Sequence, residues 1–162
     1  MTRFRDLLQA DLTATPTEDQ LRASAGLAAA VAGSHLRWWQ RCDGPAGTGT
    51  RLLLAVAPYS QYDLTLLDLI DEQLGAAPLP VTVYVANLLE YATLAELSAD
   101  FPGVGPAPQT PIVALWDGSS SPTVVWGKRG RDLLARALGL GADLMTRWTI
   151  TGLPHAAAPA AP

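Results

Sequence analysis

The chain has 162 residues, of which 49% are hydrophobic, so its length suits one domain with a substantial core. Its formal net charge of −4 argues against a nucleic-acid-binding surface, because such surfaces carry a basic excess. The sequence has no run of about twenty apolar residues, and residues 1–6 lack the apolar segment of a secretion signal. We therefore expect a cytoplasmic protein that binds neither nucleic acid nor a membrane.

The cysteine and histidine residues offer no metal site. Cys42 is the only cysteine, which excludes an intramolecular disulfide and a zinc site built on several cysteines. His35 and His155 are far apart and show no metal-ligand spacing. The glycine-rich residues 43–50 precede a predicted strand and lack the Gly-Lys-Ser/Thr ending of a phosphate loop. We expect no metal and no cofactor.

The N-terminal region is predicted to be helical. A short helix is expected at residues 4–12, and residues 15–18 read Thr-Pro-Thr-Glu, a capping box with proline at the first helical position. The second helix is predicted to continue to Cys42, with a bend at residues 33–34. Its apolar face is expected to carry the residues at helical spacing, which are Leu21, Ala25, Ala28, Val31, Ala32, Leu36 and Trp39.

The remaining apolar runs alternate between strand and helix patterns. Residues 52–57, 80–86, 112–116 and 123–126 are predicted strands, the last two forming an antiparallel hairpin. Residues 60–74, 91–101 and 129–138 are predicted helices, and the second of these places Leu94, Leu97 and Phe101 on one side. The order β-α-β-α-β-β-α predicts an α/β fold with a four-stranded mixed sheet and extra N-terminal helices.

This order divides the chain into three parts. Residues 1–50 are expected to form N-terminal helices and a loop, and residues 51–140 the sheet-containing core. Residues 141–162 are a C-terminal extension that ends in an Ala/Pro-rich stretch, for which we expect partial disorder.

Three short sequences in the core resemble landmarks of the thioredoxin-like superfamily. Residues 57–63 read Ala-Pro-Tyr-Ser-Gln-Tyr-Asp where thioredoxins carry Ala-Pro/Glu-Trp-Cys-x-x-Cys at the end of the first core strand. Thr110 and Pro111 precede the third strand, where the family has a cis proline. Residues 126–129, Trp-Gly-Lys-Arg, are similar to the Trp-Gly-Pro-Arg of a bacterial subfamily with extra N-terminal helices. The resemblance covers residues 51–138 and implies a thioredoxin-like fold.

The departures from the family pattern all remove redox chemistry. Ser60 and Asp63 stand where the two cysteines would be, and Leu54 stands where many thioredoxins carry a buried aspartate. A serine hydroxyl stays protonated without a neighbouring base and cannot form a mixed disulfide. We therefore expect a redox-inactive protein in which Ser60 and Asp63 form the capping box of the following helix.

Binding is the function that this degenerate site leaves open. The resemblance implies that the backbone of Thr110 pairs with an extended peptide, so we expect a protein or peptide partner. Aromatic side chains near this point are expected to act as anchors, with Trp116 or Trp126 as further candidates. The predicted binding residues are Tyr59, Ser60, Gln61, Tyr62, Asp63, Thr110 and Pro111.

Other functions remain as alternatives. The chain could be a thiol transferase that uses Cys42, although about 20 Å of strand is expected to separate Cys42 from the degenerate site. It could instead bind glutathione through Ser60, or serve as an accessory domain held in an oligomer. The adjacent Trp38 and Trp39 point about 100° apart on a helix, which suggests a homodimer through that helix. The basic cluster of Lys128, Arg129 and Arg131 is expected to form a solvated helix start.

Overall fold

The computed structural model describes residues 4–7, 16–40, 49–77, 79–106, 108–118 and 121–140. The α-helices are α1 (Pro16–Ala32), α2 (Gln61–Ala76), α3 (Leu94–Asp100) and α4 (Lys128–Ala137). The strands are β1 (Arg37–Trp38), β2 (Thr50–Val56), β3 (Val81–Asn87), β4 (Ile112–Trp116) and β5 (Thr123–Trp126). Short 3-10 helices occupy Arg5–Leu7 and Leu88–Glu90. The predictions for Thr15, Cys42, His155 and residues 141–162 lie outside the described residues.

The strands form one mixed sheet in the order β1-β3-β2-β4-β5. β1 and β2 run parallel to β3, whereas β4 runs antiparallel to both β2 and β5. The predicted α/β class and mixed sheet are confirmed, but the prediction of four strands is wrong. The fifth strand, β1, comes from the region that was predicted to be entirely helical.

The central strand β2 explains how the core is divided. Its residues are buried on both sides, and alternate side chains enter opposite faces of the sheet because the side-chain period of a strand is two. Leu52 and Leu54 join a cluster with apolar side chains of α1, α2 and α4. Leu53 joins the other cluster with Leu97 of α3 and the tryptophans Trp39 and Trp116. Three helices therefore cover one face and α3 covers the other.

The long N-terminal helix is shorter than its apolar pattern predicts. α1 begins at Pro16 as expected but ends at Ala32, and Gly33 and Ser34 terminate it instead of bending it. Leu36 and Trp39 are buried, but they lie beyond the helix, and Leu21 on the helix is 65% exposed. The buried face of α1 is formed by Ala23, Leu27 and Val31.

The adjacent tryptophans lie on or directly after a strand, so the helical geometry proposed for them is wrong. Trp38 packs against the cluster on one face of the sheet, and Trp39 lies in the cluster on the other. The Trp39 ring stacks on Trp116 at 6.4 Å between centroids, and its Nε1–H donates to Asp100 at 3.0 Å. Both rings contribute to the core, which removes the observation that had suggested a homodimer through this segment.

The remaining elements follow their predicted positions closely. β4 and β5 have the predicted bounds, and α2, α3 and α4 overlap their predicted ranges. In α3, Leu97 is buried and the following Phe101 is also buried, whereas Leu94 is 45% exposed. None of the described helices is long and apolar enough to cross a bilayer.

Candidate functional site

The site begins where β2 ends and α2 starts. Ser60 is the N-cap of α2, and its Oγ accepts a hydrogen bond from the Asp63 backbone N–H at 3.3 Å. This half of the predicted capping box is confirmed. The other half is wrong, because Ser60 N–H donates to the Ala57 carbonyl at 2.9 Å, and the Asp63 carboxylate accepts from the Ala57 N–H at 2.9 Å.

Asp63 is a buried acid instead of a solvated cap residue. It is 1% exposed, and it lies in the first turn of α2. Burial raises the pKa of the Asp63 carboxyl to about 6. Hydrogen bonds from the Thr110 side chain and the Ala57 N–H, together with the charge of Arg131, lower that pKa and limit the rise. The carboxyl therefore changes charge in a range close to neutral pH.

The segment before β4 brings Thr110 to the Asp63 carboxylate. The peptide bond between Thr110 and Pro111 is cis, as the resemblance implied. Gly127 N–H donates to the carbonyls of both Gln109 and Pro111 at 3.1 Å, which occupies the carbonyls on either side of Thr110. Thr110 itself is half-buried and lies along an open groove.

Two glycines allow α4 to approach this segment. Gly127, the N-cap of α4, has φ of 62°, a left-handed conformation that L side chains rarely adopt. A Cβ on Gly130 would lie 2.8 Å from the Pro111 carbonyl oxygen and 3.1 Å from Val113 Cγ2. The first turn of α4 can pack against the Pro111 loop only because residue 130 has no side chain.

We call the depression between these segments the central groove; its volume is about 570 Å³. It is lined by Tyr59, Ser60, Tyr62, Asp63, Leu88, Pro108, Gln109, Thr110 and Arg131. Five of the seven predicted binding residues are therefore brought together. Gln61 is not among them, since its amide donates to the Arg5 carbonyl at 3.4 Å, and Pro111 is buried behind Thr110.

Two smaller depressions adjoin the central groove. The basic pocket, of about 420 Å³, is lined by Gly105, Pro106, Pro108, Gln109, Trp126, Lys128 and Arg129. The apolar pocket, of about 290 Å³, is lined by Leu88, Tyr91, Ala92, Thr93, Leu94, Leu97, Pro106 and Pro108. Pro108 lines all three depressions, so they form one connected surface.

Sequence reasoning missed part of this surface. The predicted site omitted four groove residues. Leu88 and Arg131 reach the groove from other elements, whereas Pro108 and Gln109 directly precede the predicted Thr110. Of the two candidate tryptophans, Trp126 is 38% exposed and lines the basic pocket, whereas Trp116 is a core residue. For this part of the surface, the cluster of Lys128, Arg129 and Arg131 was the signal available in the sequence.

Comparisons with known proteins add no relative from which a function could be transferred. No family model, no curated protein and no solved structure matches the chain. The chemistry of the groove is therefore the basis for inferring function.

The residues that line the central groove offer oxygen and nitrogen groups but no sulfur. Among the described residues, the Ser60 hydroxyl forms a hydrogen bond with the Asp63 N–H, and no carboxylate or imidazole contacts it as a base. The described part of the chain also contains no group of three or more His, Cys, Asp or Glu that could hold a metal ion. The groove combines aromatic faces with hydroxyl, amide and guanidinium groups, a composition suited to recognising a peptide.

Proposed function

We propose that this chain is a thioredoxin-like protein without redox activity that binds an extended segment of a partner protein in the central groove. The partner backbone would lie along Thr110, and its side chains would contact Tyr59 and Tyr62. Main-chain pairing supplies affinity in this mode of recognition, while the flanking side chains supply specificity.

The arrangement of the strands supports the thioredoxin-like part of the proposal. β2 and β3 are parallel, and β4 and β5 follow as an antiparallel pair beside β2. The segment that resembles the family's cysteine motif follows β2 at the start of α2. The Asp63 carboxylate joins this segment to Thr110, so the two family-like sequences meet at one place.

The observation that carries the binding proposal is the distribution of exposed apolar side chains. Six large apolar side chains are exposed in the described residues, and four of them line the three connected depressions. These four are Tyr59, Tyr62, Leu94 and Trp126. Exposed apolar residues that cluster around a groove mark an interaction site, whereas single scattered ones do not. Tyrosine and tryptophan are also common interface anchors.

The test is a binding measurement with defined peptides. A displayed library of random twelve-residue peptides is selected on the full chain, and the tightest peptide is labelled for fluorescence anisotropy. We expect Tyr59→Ala combined with Tyr62→Ala to weaken its Kd at least tenfold, because both aromatic contacts are lost. Leu21→Ala is the matched control, since it removes an apolar side chain that is 65% exposed on α1 and should leave the Kd unchanged.

The proposal fails if no peptide is selected. It also fails if the double tyrosine variant and the Leu21 variant bind the peptide as tightly as the unchanged chain. Thermal unfolding of each variant verifies that a loss of binding is not a loss of fold.

A further inference from the structure

Three cationic side chains at the start of α4, Lys128, Arg129 and Arg131, line the central groove or the basic pocket beside it. We propose that the partner segment is acidic, with its carboxylates placed against Lys128 and Arg129 of the basic pocket while its apolar side chains occupy the central groove. This inference rests on the proposed function and names the chemistry of the partner.

The charge distribution is the first support. Helix α4 contains four cationic residues and one acidic residue, a net charge of +3, in a chain whose net charge is −4. The rest of the sequence therefore carries a net charge of −7, and residues 52–127, which precede α4, contain eight acidic residues and no cation. Complementary charge between two surfaces steers the encounter and selects the partner, so an isolated basic surface favours an acidic one.

The position of these cations is the second support. Lys128 and Arg129 are exposed and line the basic pocket with Trp126, and none of the described residues that line this pocket is acidic. The basic pocket shares Pro108 and Gln109 with the central groove. A single extended segment can therefore cross from the aromatic residues at the start of α2 to the cations at the start of α4.

The neighbouring acids neutralise this surface only in part. Lys128 Nζ lies 3.4 Å from Asp132 on the same helix, but this pair is exposed and of the weak i,i+4 kind. Asp63 lies at the floor of the central groove near Arg131, where it is buried and bonded to Ala57. Arg129 lines the basic pocket and, on its other side, a depression shared with Arg136.

Helix energetics give an independent reason to assign a role to these cations. Lys128, Arg129 and Arg131 occupy the first turn of α4, where the positive end of the helix dipole disfavours cations. The first turn contains no acidic residue, and its N-cap Gly127 provides no side-chain hydrogen bond. These residues therefore do not stabilise the helix start, and a bound carboxylate would relieve their mutual repulsion.

The experiment changes the charge of the peptide and the charge of the protein separately and measures the Kd of each combination. The peptide selected on the full chain is measured beside a version in which every Asp and Glu is replaced by Asn and Gln. Lys128→Gln combined with Arg129→Gln is compared with Arg22→Gln combined with Arg37→Gln, two exposed cations that lie outside α4 and outside the three depressions. Both double variants change the net charge of the protein equally. Comparing their Kd values therefore separates the effect of net charge from the effect of where the cations lie.

We expect the selected peptides to be rich in Asp and Glu. The α4-start variant should weaken the Kd of the acidic peptide about tenfold and reduce its salt dependence, while the control variant changes it little. The neutralised peptide should bind both variants equally. Thermal unfolding of the α4-start variant should be unchanged or higher, because it removes cations from a helix N-terminus.

Two results would overturn the inference while leaving the proposed function in place. One is the selection of neutral or basic peptides that depend on Tyr59 and Tyr62. The other is acidic peptides whose Kd is unaffected by the α4-start variant. If a fluorescent oligo-dT is bound and lost in that variant, whereas no peptide is bound, both proposals fail.

Discussion

Three aspartates of α2 are buried, and each carboxylate accepts hydrogen bonds from a different segment of the chain. Asp63 accepts from the Ala57 N–H, and Asp71 accepts from the His35 N–H at 2.7 Å. Asp68 accepts from the Phe4 and Arg5 backbone N–H groups at 2.9 and 3.1 Å. Burying a carboxylate costs free energy unless hydrogen-bond donors compensate for the lost water. These hydrogen bonds therefore allow the three aspartates to be buried.

Asp63 gives a prediction about pH. Its pKa is raised from 3.8 to about 6 in the folded protein, so between these values the folded state holds a proton that the unfolded chain has lost. The contribution of Asp63 to stability therefore falls as pH rises through this window. Asp63→Asn, which is neutral and similar in shape, should remove this slope. Between pH 4 and pH 7 its stability relative to the unchanged chain should rise by roughly 2 kcal/mol.

Urea unfolding of both proteins across this pH range measures the difference. Asp132→Asn is the matched control, because Asp132 is exposed and should show a much smaller change. A pH-independent difference between Asp63→Asn and the unchanged chain would contradict the assigned pKa.

Thr65 gives a prediction about an unpaired polar group. Its hydroxyl is the one buried side-chain oxygen or nitrogen among the described residues that has no hydrogen-bond partner. Thr65→Val keeps the shape of the side chain and removes the unpaired group, so it should stabilise the protein by about 1 kcal/mol. Chemical denaturation measures this change. Thr93→Val, which removes a hydroxyl that caps α3, should act in the opposite direction.

At the scale of the elements, the approach of α4 to the Pro111 loop decides the shape of the groove. At position 130, intrinsic helix propensity favours alanine, whereas the packing of α4 against the Pro111 loop requires glycine. Alanine is favoured over glycine inside a helix by about 1 kcal/mol, but there is no room for its Cβ against the Pro111 carbonyl. The position of Arg131 and of the basic pocket therefore depends on this close contact.

Gly130→Ala should consequently destabilise the protein by about 1–3 kcal/mol despite its better helix propensity, because α4 must move away from the loop. Thermal or chemical unfolding gives the sign directly. Gly105→Ala is the control, since a Cβ there meets nothing within 4 Å, and it should be neutral or slightly stabilising. Stabilisation by Gly130→Ala would show that the helix is not held against the loop.

At the scale of the whole molecule, the two faces of the sheet are covered by different elements. One face is closed by α1, α2 and α4, and Phe4, which precedes these helices in the chain, is fully buried in that cluster. The other face is covered by α3 and the stacked Trp39 and Trp116 rings. The connected depressions lie at one edge of this assembly, where the loops before α2, β4 and α4 meet.

The described residues that line the central groove contain no sulfur, which leads to a prediction about activity. Thiol-disulfide exchange requires a thiolate, and the groove presents the Ser60 hydroxyl at the position that the resemblance assigns to the first cysteine. The purified chain should not catalyse insulin reduction by dithiothreitol above the uncatalysed rate, and Cys42→Ala should change nothing. Catalysis that disappears in Cys42→Ala would instead establish the thiol transferase alternative.

Much of the element order could be predicted from local pattern. The apolar runs of β2, β3, β4 and β5 were recognisable because buried strands need continuous or alternating apolar residues. The segment 33–39 was misassigned because Leu36 and Trp39 continue the helical spacing of α1. Their burial arises from pairing with β3, a contact that spacing within one segment cannot reveal.

The sequence by itself determined the order of strands and helices from β2 to α4, the presence of Ser60 and Asp63 at the start of α2, and the excess of basic residues at the start of α4. Those properties depend on residues close together in the chain. Only the tertiary structure decided that Asp63 is buried against Thr110 and that Pro108 joins three depressions. Burial and groove shape depend on contacts between segments distant in sequence, and such contacts exist only after the sheet has assembled.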